Sequence, residues 1–287
     1  TPNYTYTLGA VTNTTGLFSN LAVGTYCVTV TDGNNCTVVE CVTINQNSLV
    51  VASAFVSSNY NGAQTSCQNS ADGEATVNVT GGVAAYSFLW DTGAGSQTTQ
   101  TAVGLAAGTY AVTVTDVFGC NDIDTVTILS PDSIVLDVID TVNITCFGQP
   151  TGSFTVAASG GVGPYTYSFD GGITFTNQVQ YTNLPANPVG NGYCVIVQDA
   201  NGCQTTACVN ITEPTQVQGL ADSITMVSCF GGADGVISVS GVGGTPPYGY
   251  SFNGGLSTST SVFNGLIAGN YTVVITDSEG CQTTMSN

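Results

Sequence analysis

Polar and apolar residues alternate with period two along most of the chain, as in Glu74-Ala-Thr-Val-Asn-Val-Thr, Tyr110-Ala-Val-Thr-Val-Thr and Thr272-Val-Val-Ile-Thr. Such runs place every second side chain on one face of a strand and predict half-buried β-structure. No segment has the 3.6-residue period of an amphipathic helix. The runs are separated by Gly, Asn and Asp clusters, among them Asp32-Gly33-Asn34-Asn35, Asp170-Gly171-Gly172 and Asn253-Gly254-Gly255. These residues tolerate the positive φ of tight turns. The expected fold is all-β, with six or seven strands per packing unit.

The pattern repeats. GTYCVTVTDGNNC at Gly24–Cys36 returns as GTYAVTVTDVFGC at Gly108–Cys120, as NGYCVIVQDANGC from Asn191 and as GNYTVVITDSEGC from Gly269. The closing cysteines are 84, 83 and 78 residues apart, so the unit is about 80 residues, a normal size for a small domain. Tyr165-Thr-Tyr-Ser-Phe-Asp-Gly-Gly likewise matches Tyr248-Gly-Tyr-Ser-Phe-Asn-Gly-Gly, with looser copies at Tyr4 and Tyr86. The expected division is the later part of repeat 1 at 1–47, repeat 2 at 48–131, repeat 3 at 132–214, and repeat 4 at 215–287, interrupted in its last strand. Both ends are expected to be cut from a longer chain. Short linkers such as Ser130-Pro131-Asp132 and Glu213-Pro214-Thr215 predict a semi-rigid rod.

Leu21, Leu105 and Leu266 each precede by five residues a tyrosine, Tyr26, Tyr110 and Tyr271, and a glycine stands two residues before each tyrosine. This resembles the tyrosine corner of immunoglobulin-like sandwiches, in which the hydroxyl returns to an upstream backbone group. Tyr193 is the third copy, behind an insertion at 185–190. The fold expected is therefore a tandem array of immunoglobulin-like β-sandwiches.

Eleven cysteines without any histidine or Cys-x-x-Cys pair favour disulfides over metal. Matching positions in successive repeats predict one bond within each: Cys67–Cys120, Cys146–Cys203 and Cys229–Cys281. Repeats 1 and 3 add Cys27 with Cys41 and Cys194 with Cys208, where repeats 2 and 4 have Ala111 with Thr125 and Thr272 with Ser286. The extra cysteines come and go together, as expected of a bond across the last hairpin. Closing loops of about 15 and about 54 residues stabilises by about 3 and about 4 kcal/mol. Cys36 is left over, its partner expected before Thr1.

The chain has no Lys, Arg or His and 18 acidic residues, a formal charge of −18. That removes Ser-His-Asp and Cys-His catalysis, Schiff-base lysines and arginine clamps. No acid pair recurs in a pocket-like context, so no enzyme activity is expected. Nucleic acid and anionic membranes are poor partners for a chain without cations. No membrane-inserting segment is visible. Three readings of the missing basic residues stay open: evasion of trypsin-like proteases, uniform negative charge that keeps repeats from sticking together, and compositional drift in a repeat family.

Asp32, Asp116, Asp199 and Asp277 recur at the turn before each closing cysteine, and Asp72 and Asp234 in Ala-Asp-Gly turns. Calcium is one reading of these carboxylates. The preferred one is turn capping without an ion, because no dense Asp-x-Asp-x-Asp-Gly run is present. No cofactor is expected.

Thr145-Cys-Phe-Gly, Ser228-Cys-Phe-Gly-Gly-Ala-Asp-Gly, Pro247-Tyr-Gly-Tyr-Ser-Phe-Asn-Gly-Gly and Gly269-Asn-Tyr-Thr-Val-Val-Ile-Thr-Asp-Ser-Glu-Gly-Cys together resemble the SprB repeat, over essentially the whole chain. Repeat 2 departs most, with Ser66-Cys67-Gln68-Asn69 in place of Cys-Phe-Gly and Trp90 at the position of Phe169, Phe252 and Leu8. A core role for Trp90 is preferred to sugar stacking. The resemblance implies the stalk of a giant secreted, cell-surface adhesin of gliding Bacteroidetes, exported by type IX secretion and moved along the cell surface. Its expected partners are other repeats of the same chain, the secretion and motility machinery, and a surface polysaccharide or substratum. The alternative is a structural filament or sheath assembling laterally or by strand exchange. The same resemblance makes Asp-Ser/Thr-apolar triplets candidate O-glycosylation sites, at Thr125, Ser133, Thr141 and Ser223.

Overall fold

The computed structural model describes residues 3–187, 190 and 192–286. Part of the 185–190 insertion, residues 188 and 189, lies outside the described residues. The elements are all strands. Repeat 2 is built from β5 (Val51–Val56), β6 (Gly73–Thr80), β7 (Ser87–Trp90), β8 (Thr101–Leu105), β9 (Gly108–Thr115) and β10 (Asn121–Ile128). They form two antiparallel three-stranded sheets, β5-β6-β8 and β10-β9-β7. Repeat 3 comprises β11 (Val135–Val142), β12 (Gly152–Ser159), β13 (Thr166–Ser168), β14 (Gln180–Leu184), β15 (Tyr193–Gln198) and β16 (Gln204–Val209). Repeat 4 comprises β17 (Gln218–Thr225), β18 (Gly235–Val242), β19 (Gly249–Phe252), β20 (Val262–Leu266), β21 (Thr272–Thr276) and β22 (Gln282–Ser286). Both have the same pair of sheets, β11-β12-β14 with β13-β15-β16, and β17-β18-β20 with β19-β21-β22. In repeat 1, β1 (Thr5–Leu8), β2 (Val11–Asn13), β3 (Gly24–Thr31) and β4 (Thr37–Ile44) make one four-stranded sheet, β2-β1-β3-β4.

The alternation seen in the sequence sets the core. In repeat 2 Ala75 and Val77 of β6 face Val112 and Val114 of β9, with Trp90, Leu105 and Ile128 closing the layer, all buried. Trp90 is a core residue whose indole N–H donates to the Thr99 carbonyl at 3.0 Å. Repeats 3 and 4 have separate cores around Phe154, Val156, Val195 and Val197, and around Val239, Val273 and Ile275. Edge strand β5 leaves amides unpaired in its own sheet. Ala52 and Ala54 donate these to the Asp122 and Asp124 carboxylates of β10 at 2.9 and 2.8 Å, joining the two sheets at that edge.

Contacts divide the chain into two compact units, 1–58 with 71–129, and 59–70 with 130–287. The segment 59–70, which connects β5 to β6 in sequence, thus groups with the second unit.

Candidate functional site

The recurrent aspartate organises one end of each sandwich. Asp199 Oδ1 accepts the amides of Asn201 and Cys203, both at 2.9 Å, and Oδ2 accepts that of Val162, also at 2.9 Å. Asp116 repeats this with Phe118, Cys120 and Val83, and Asp277 with Glu279, Cys281 and Thr245. Asp32 makes the two local bonds, to Asn34 and Cys36. In repeats 2 to 4 the carboxylate is buried and ties the last turn to the loop between the second and third strands. That loop approaches because its Gly-Gly pair is left-handed. Gly160 and Gly161 have φ of +70° and +57°, and a Cβ on Gly161 would strike Ile134 and the Asp199 carboxylate. Burial pushes the Asp116 carboxyl up, but the amides of Val83, Cys120, Phe118 and Gly119 outweigh it and hold the group below its ordinary value. In Asp116, Asp199 and Asp277 both carboxylate oxygens are engaged by amides, which is turn capping. Among the described residues no group of three or more Asp, Glu, Cys or His side chains gathers as a metal site.

The aspartate turn presents its cysteine. Cys203 bonds Cys67 and Cys281 bonds Cys146, at Cα separations of 5.8 and 5.5 Å. This corrects the expected bonds Cys67–Cys120, Cys146–Cys203 and Cys229–Cys281. The early cysteines of repeats 2 and 3 are joined to the closing cysteines of repeats 3 and 4. Cys36, Cys120 and Cys229 are free and exposed. The reason is the path of the chain. The early cysteine lies in the loop from first to second strand, whereas the closing cysteine lies in the fifth-to-sixth turn, held against the loop after the second strand. The second strand separates these two ends: the 8 residues of β6 span roughly 26 Å. A disulfide needs Cα atoms within about 7 Å. The last strand, however, leaves the sandwich at the early-cysteine end, and the next repeat begins at its own closing-cysteine end.

Both junctions share detail. The Cys203 sulfur lies 3.2 Å from the Ser66 carbonyl oxygen, and the Cys281 sulfur 3.3 Å from that of Thr145. Cys146 packs on the core of repeat 4. Around Cys67, Asn201 donates to the carbonyls of Tyr60 and Ser66 at 3.1 and 3.0 Å and accepts from Asn61 at 2.7 Å. Ser133 donates to the Gln68 side chain. Glu213 accepts the Gly148 amide at 2.7 Å. These contacts draw 59–70 into its unit.

Cys27–Cys41 and Cys194–Cys208 are bonded directly across their hairpins, each at a Cα separation of 4.0 Å. Ala111 with Thr125 and Thr272 with Ser286 occupy the same register in repeats 2 and 4. Tyr26, Tyr110 and Tyr271 donate to the carbonyls of Ala22, Ala106 and Ile267 at 2.9, 2.9 and 2.7 Å, and Tyr193 to that of Pro185 at 3.0 Å. A second tyrosine clamp was not foreseen. Tyr86, Tyr165 and Tyr248 donate to the carbonyls of Gly81, Gly160 and Gly243. Its signal is a tyrosine five residues after the first glycine of each Gly-Gly pair. Thr125, Ser133, Thr141 and Ser223 are all exposed. The Phe147 side chain beside bonded Cys146 is about half exposed, and Phe230 beside free Cys229 is fully exposed.

The SprB repeat family model matches residues 61–95, 138–174 and 221–257. No curated protein sequence matches the chain. Among solved structures, the three N-terminal domains of the highly immunogenic outer capsid protein (Hoc) of bacteriophage RB49 are 12% identical, with 83% of this chain and 96% of that chain covered and a TM-score of 0.38. The first eight Ig domains of Down syndrome cell adhesion molecule are 11% identical, covering all of this chain and 56% of that one, with a TM-score of 0.28. The human desmocollin-1 ectodomain is 13% identical over all of this chain and 74% of its own, with a TM-score of 0.27.

Proposed function

The chain carries three SprB repeats, and from that premise we propose that it is a force-bearing stretch of a large secreted cell-surface adhesin of the gliding-motility type. Its role is to hold adhesive regions away from the cell and to pass load along the chain, with no catalysis of its own. The threefold family match is the observation that carries this reading. The disulfides support an oxidising, extracellular location. The joining of repeat 2 to repeat 3 and of repeat 3 to repeat 4 supports load transfer, since tension on one repeat reaches the next through a covalent bond as well as through the linker. Export by type IX secretion, contact with polysaccharide or substratum, and glycans at Thr125, Ser133, Thr141 and Ser223 belong to the same proposal.

The test is antibody raised against this chain and applied to unpermeabilised source cells, free and coupled to beads. Surface labelling with beads carried along the cell is the expected result. Labelling that appears only after permeabilisation overturns the surface assignment, and surface label that never moves overturns the motility assignment.

A further inference from the structure

In repeats 2 to 4 the first sheet ends on an edge strand, β8, β14 and β20 respectively. The Val77, Val156 and Val239 amides donate to the carbonyls of Gln100, Val179 and Ser261, which fixes the residues of each edge that turn inward. By antiparallel alternation the backbone N–H and C=O groups of Thr101 and Val103, of Gln180 and Thr182, and of Val262 and Asn264 point outward. The three edges are closed to different degrees. In repeat 2 the Gln97 carboxamide lies on the edge like a piece of an added strand. Its nitrogen donates to the Val103 carbonyl at 2.9 Å and its oxygen accepts the Val103 amide at 3.1 Å, while the Thr99 hydroxyl donates to the Thr101 carbonyl at 2.6 Å. Repeat 3 keeps one cap, from the Gln178 side chain to the Gln180 carbonyl at 2.9 Å. Repeat 4 has none among the described residues. Gln97 stands six residues before Val103, and the residue at that spacing before Asn264 is Thr258, whose hydroxyl accepts the Thr260 amide instead. A register shift with a left-handed residue, Gly104, Asn183 or Gly265, is common to all three edges, so the side-chain caps make the difference. Val262 and Asn264 are both exposed.

We propose that β20 is a docking edge for a second copy of this chain, β20 pairing antiparallel with β20 about a two-fold axis at Asn264. Each Asn264 then exchanges its N–H and C=O with the other's, as directly opposite residues do in a hydrogen-bonded pair. The two three-stranded sheets become one sheet in the order β17-β18-β20-β20-β18-β17, which closes both edges at once. Charge decides the occupant. Every charged side chain is acidic, so a second copy is repelled by any surface that carries acids. At the opposite edge of the same sheet β17 carries Asp222, whereas Val262-Phe-Asn-Gly-Leu266 carries no acid. Two such edges meet without like charges opposed across the pair. The Gln97 plug withholds the corresponding edge of repeat 2, as natural sheets blunt edges that would otherwise pair. The pairing is independent of what the array adheres to.

The experiment uses the full chain with its four disulfides intact and its three thiols blocked by iodoacetamide, so that no new disulfide joins copies. Sedimentation velocity is measured over a concentration series, with amide hydrogen exchange on the same samples. The expected result is a reversible dimer in which exchange slows at the Val262 and Asn264 amides and is unchanged at Val103. Asn264→Asp, which opposes two carboxylates across the pair, and Asn264→Pro, which removes the outward donor at an edge where proline is tolerated, are each expected to weaken association at least several-fold. Thr182→Asp, the same change on the half-capped edge of repeat 3, is expected to leave the dimer intact. A chain that stays monomeric at every concentration overturns the proposal, whether or not the edge takes up some other extended peptide. A dimer that survives both Asn264 variants, or one lost in Thr182→Asp and kept in Asn264→Asp, overturns it as well.

Discussion

The two bonds that cross between repeats interlock, and this predicts a non-additive response to force. Cys67–Cys203 and Cys146–Cys281 overlap in sequence, so the shortest covalent route from Cys67 to Cys281 runs backwards through the segment between Cys203 and Cys146. About 214 residue steps are replaced by about 57, which hides about 157 residues from extension, or roughly 520 Å at ~3.3 Å each. With one staple alone, the hidden length is that bond's own separation, 136 or 135 residues. Removing either pair from the intact chain, as in C67S/C203S, therefore frees only about 22 residues, roughly 70 Å, whereas removing the second pair frees roughly 400 Å more, the Cys194–Cys208 bond still hiding its own 14 residues. The assay is single-molecule stretching between the chain ends, comparing maximum contour length in the intact chain, each paired variant and the fourfold variant. Bonds confined within repeats give a different pattern, because each pair then hides its own loop and its loss frees about 50 to 57 residues, roughly 180 Å, whichever is removed first. Equal, additive increments would refute the interlocked arrangement.

Asp199→Ala leaves three amides without an acceptor and should destabilise repeat 3 by about 3 kcal/mol or more. Chemical denaturation of the oxidised protein, with mapping of Cys67–Cys203, checks both stability and bond yield. Tyr110→Phe deletes the bond to Ala106 and should cost about 1 kcal/mol in the same assay. For pH, burial raises Asp116 but its amide donors win. The hydroxyl and amide of Thr174 with the Ser168 hydroxyl lower Asp170, and the hydroxyl and amide of Ser228 lower Asp234. Carboxylates depressed in the folded state add stability that is complete above their ordinary value of 3.8 and is lost as pH falls through the folded values. With no histidine in the chain, thermal melting should be flat from pH 8 to pH 5 and fall below about pH 4.

What was legible in the sequence was local. Period-two alternation marked Glu74–Thr80 and Tyr110–Thr115 as strands because each strand has one face in the core and one in water. The joint appearance of Cys27 with Cys41 and Cys194 with Cys208 reported a hairpin register, which a short segment fixes by itself. The longer bonds were not legible by the same logic. When repeats 2 to 4 each carry both an early and a closing cysteine, internal comparison shows that they belong to one pattern but not whether the partner lies in the same repeat or the next. That choice depends on which end of the sandwich each loop occupies. Placing the early cysteine after one strand and the closing cysteine in the turn held to the second-to-third loop puts them a strand length apart. The Asp116, Asp199 and Asp277 bonds to that loop are long-range, and no spacing announces them. The Gly-Gly-to-tyrosine spacing was visible, yet its role as a clamp appears only with the carbonyl it meets.

The absence of cations then acquires a structural consequence. With no Lys, Arg or His, no carboxylate can be neutralised by a side-chain ion pair. The buried ones are held by amides instead: three each at Asp116, Asp199 and Asp277, with the part-buried Asp122 and Asp124 taking the edge of β5. Hydrogen bonds of this kind are short-range and little affected by salt, while the remaining carboxylates repel one another across the surface. Raising ionic strength can therefore only weaken a destabilising term, since no attractive ion pair exists to be screened. The screening length falls from about 30 Å at 0.01 M to about 10 Å at 0.1 M and about 3 Å at 1 M. The melting temperature should accordingly rise by a few degrees between 0.01 and 0.1 M sodium chloride and then level off. A fall over that range would mean that attractive charge interactions do hold the fold, against the amide-capped arrangement of its carboxylates.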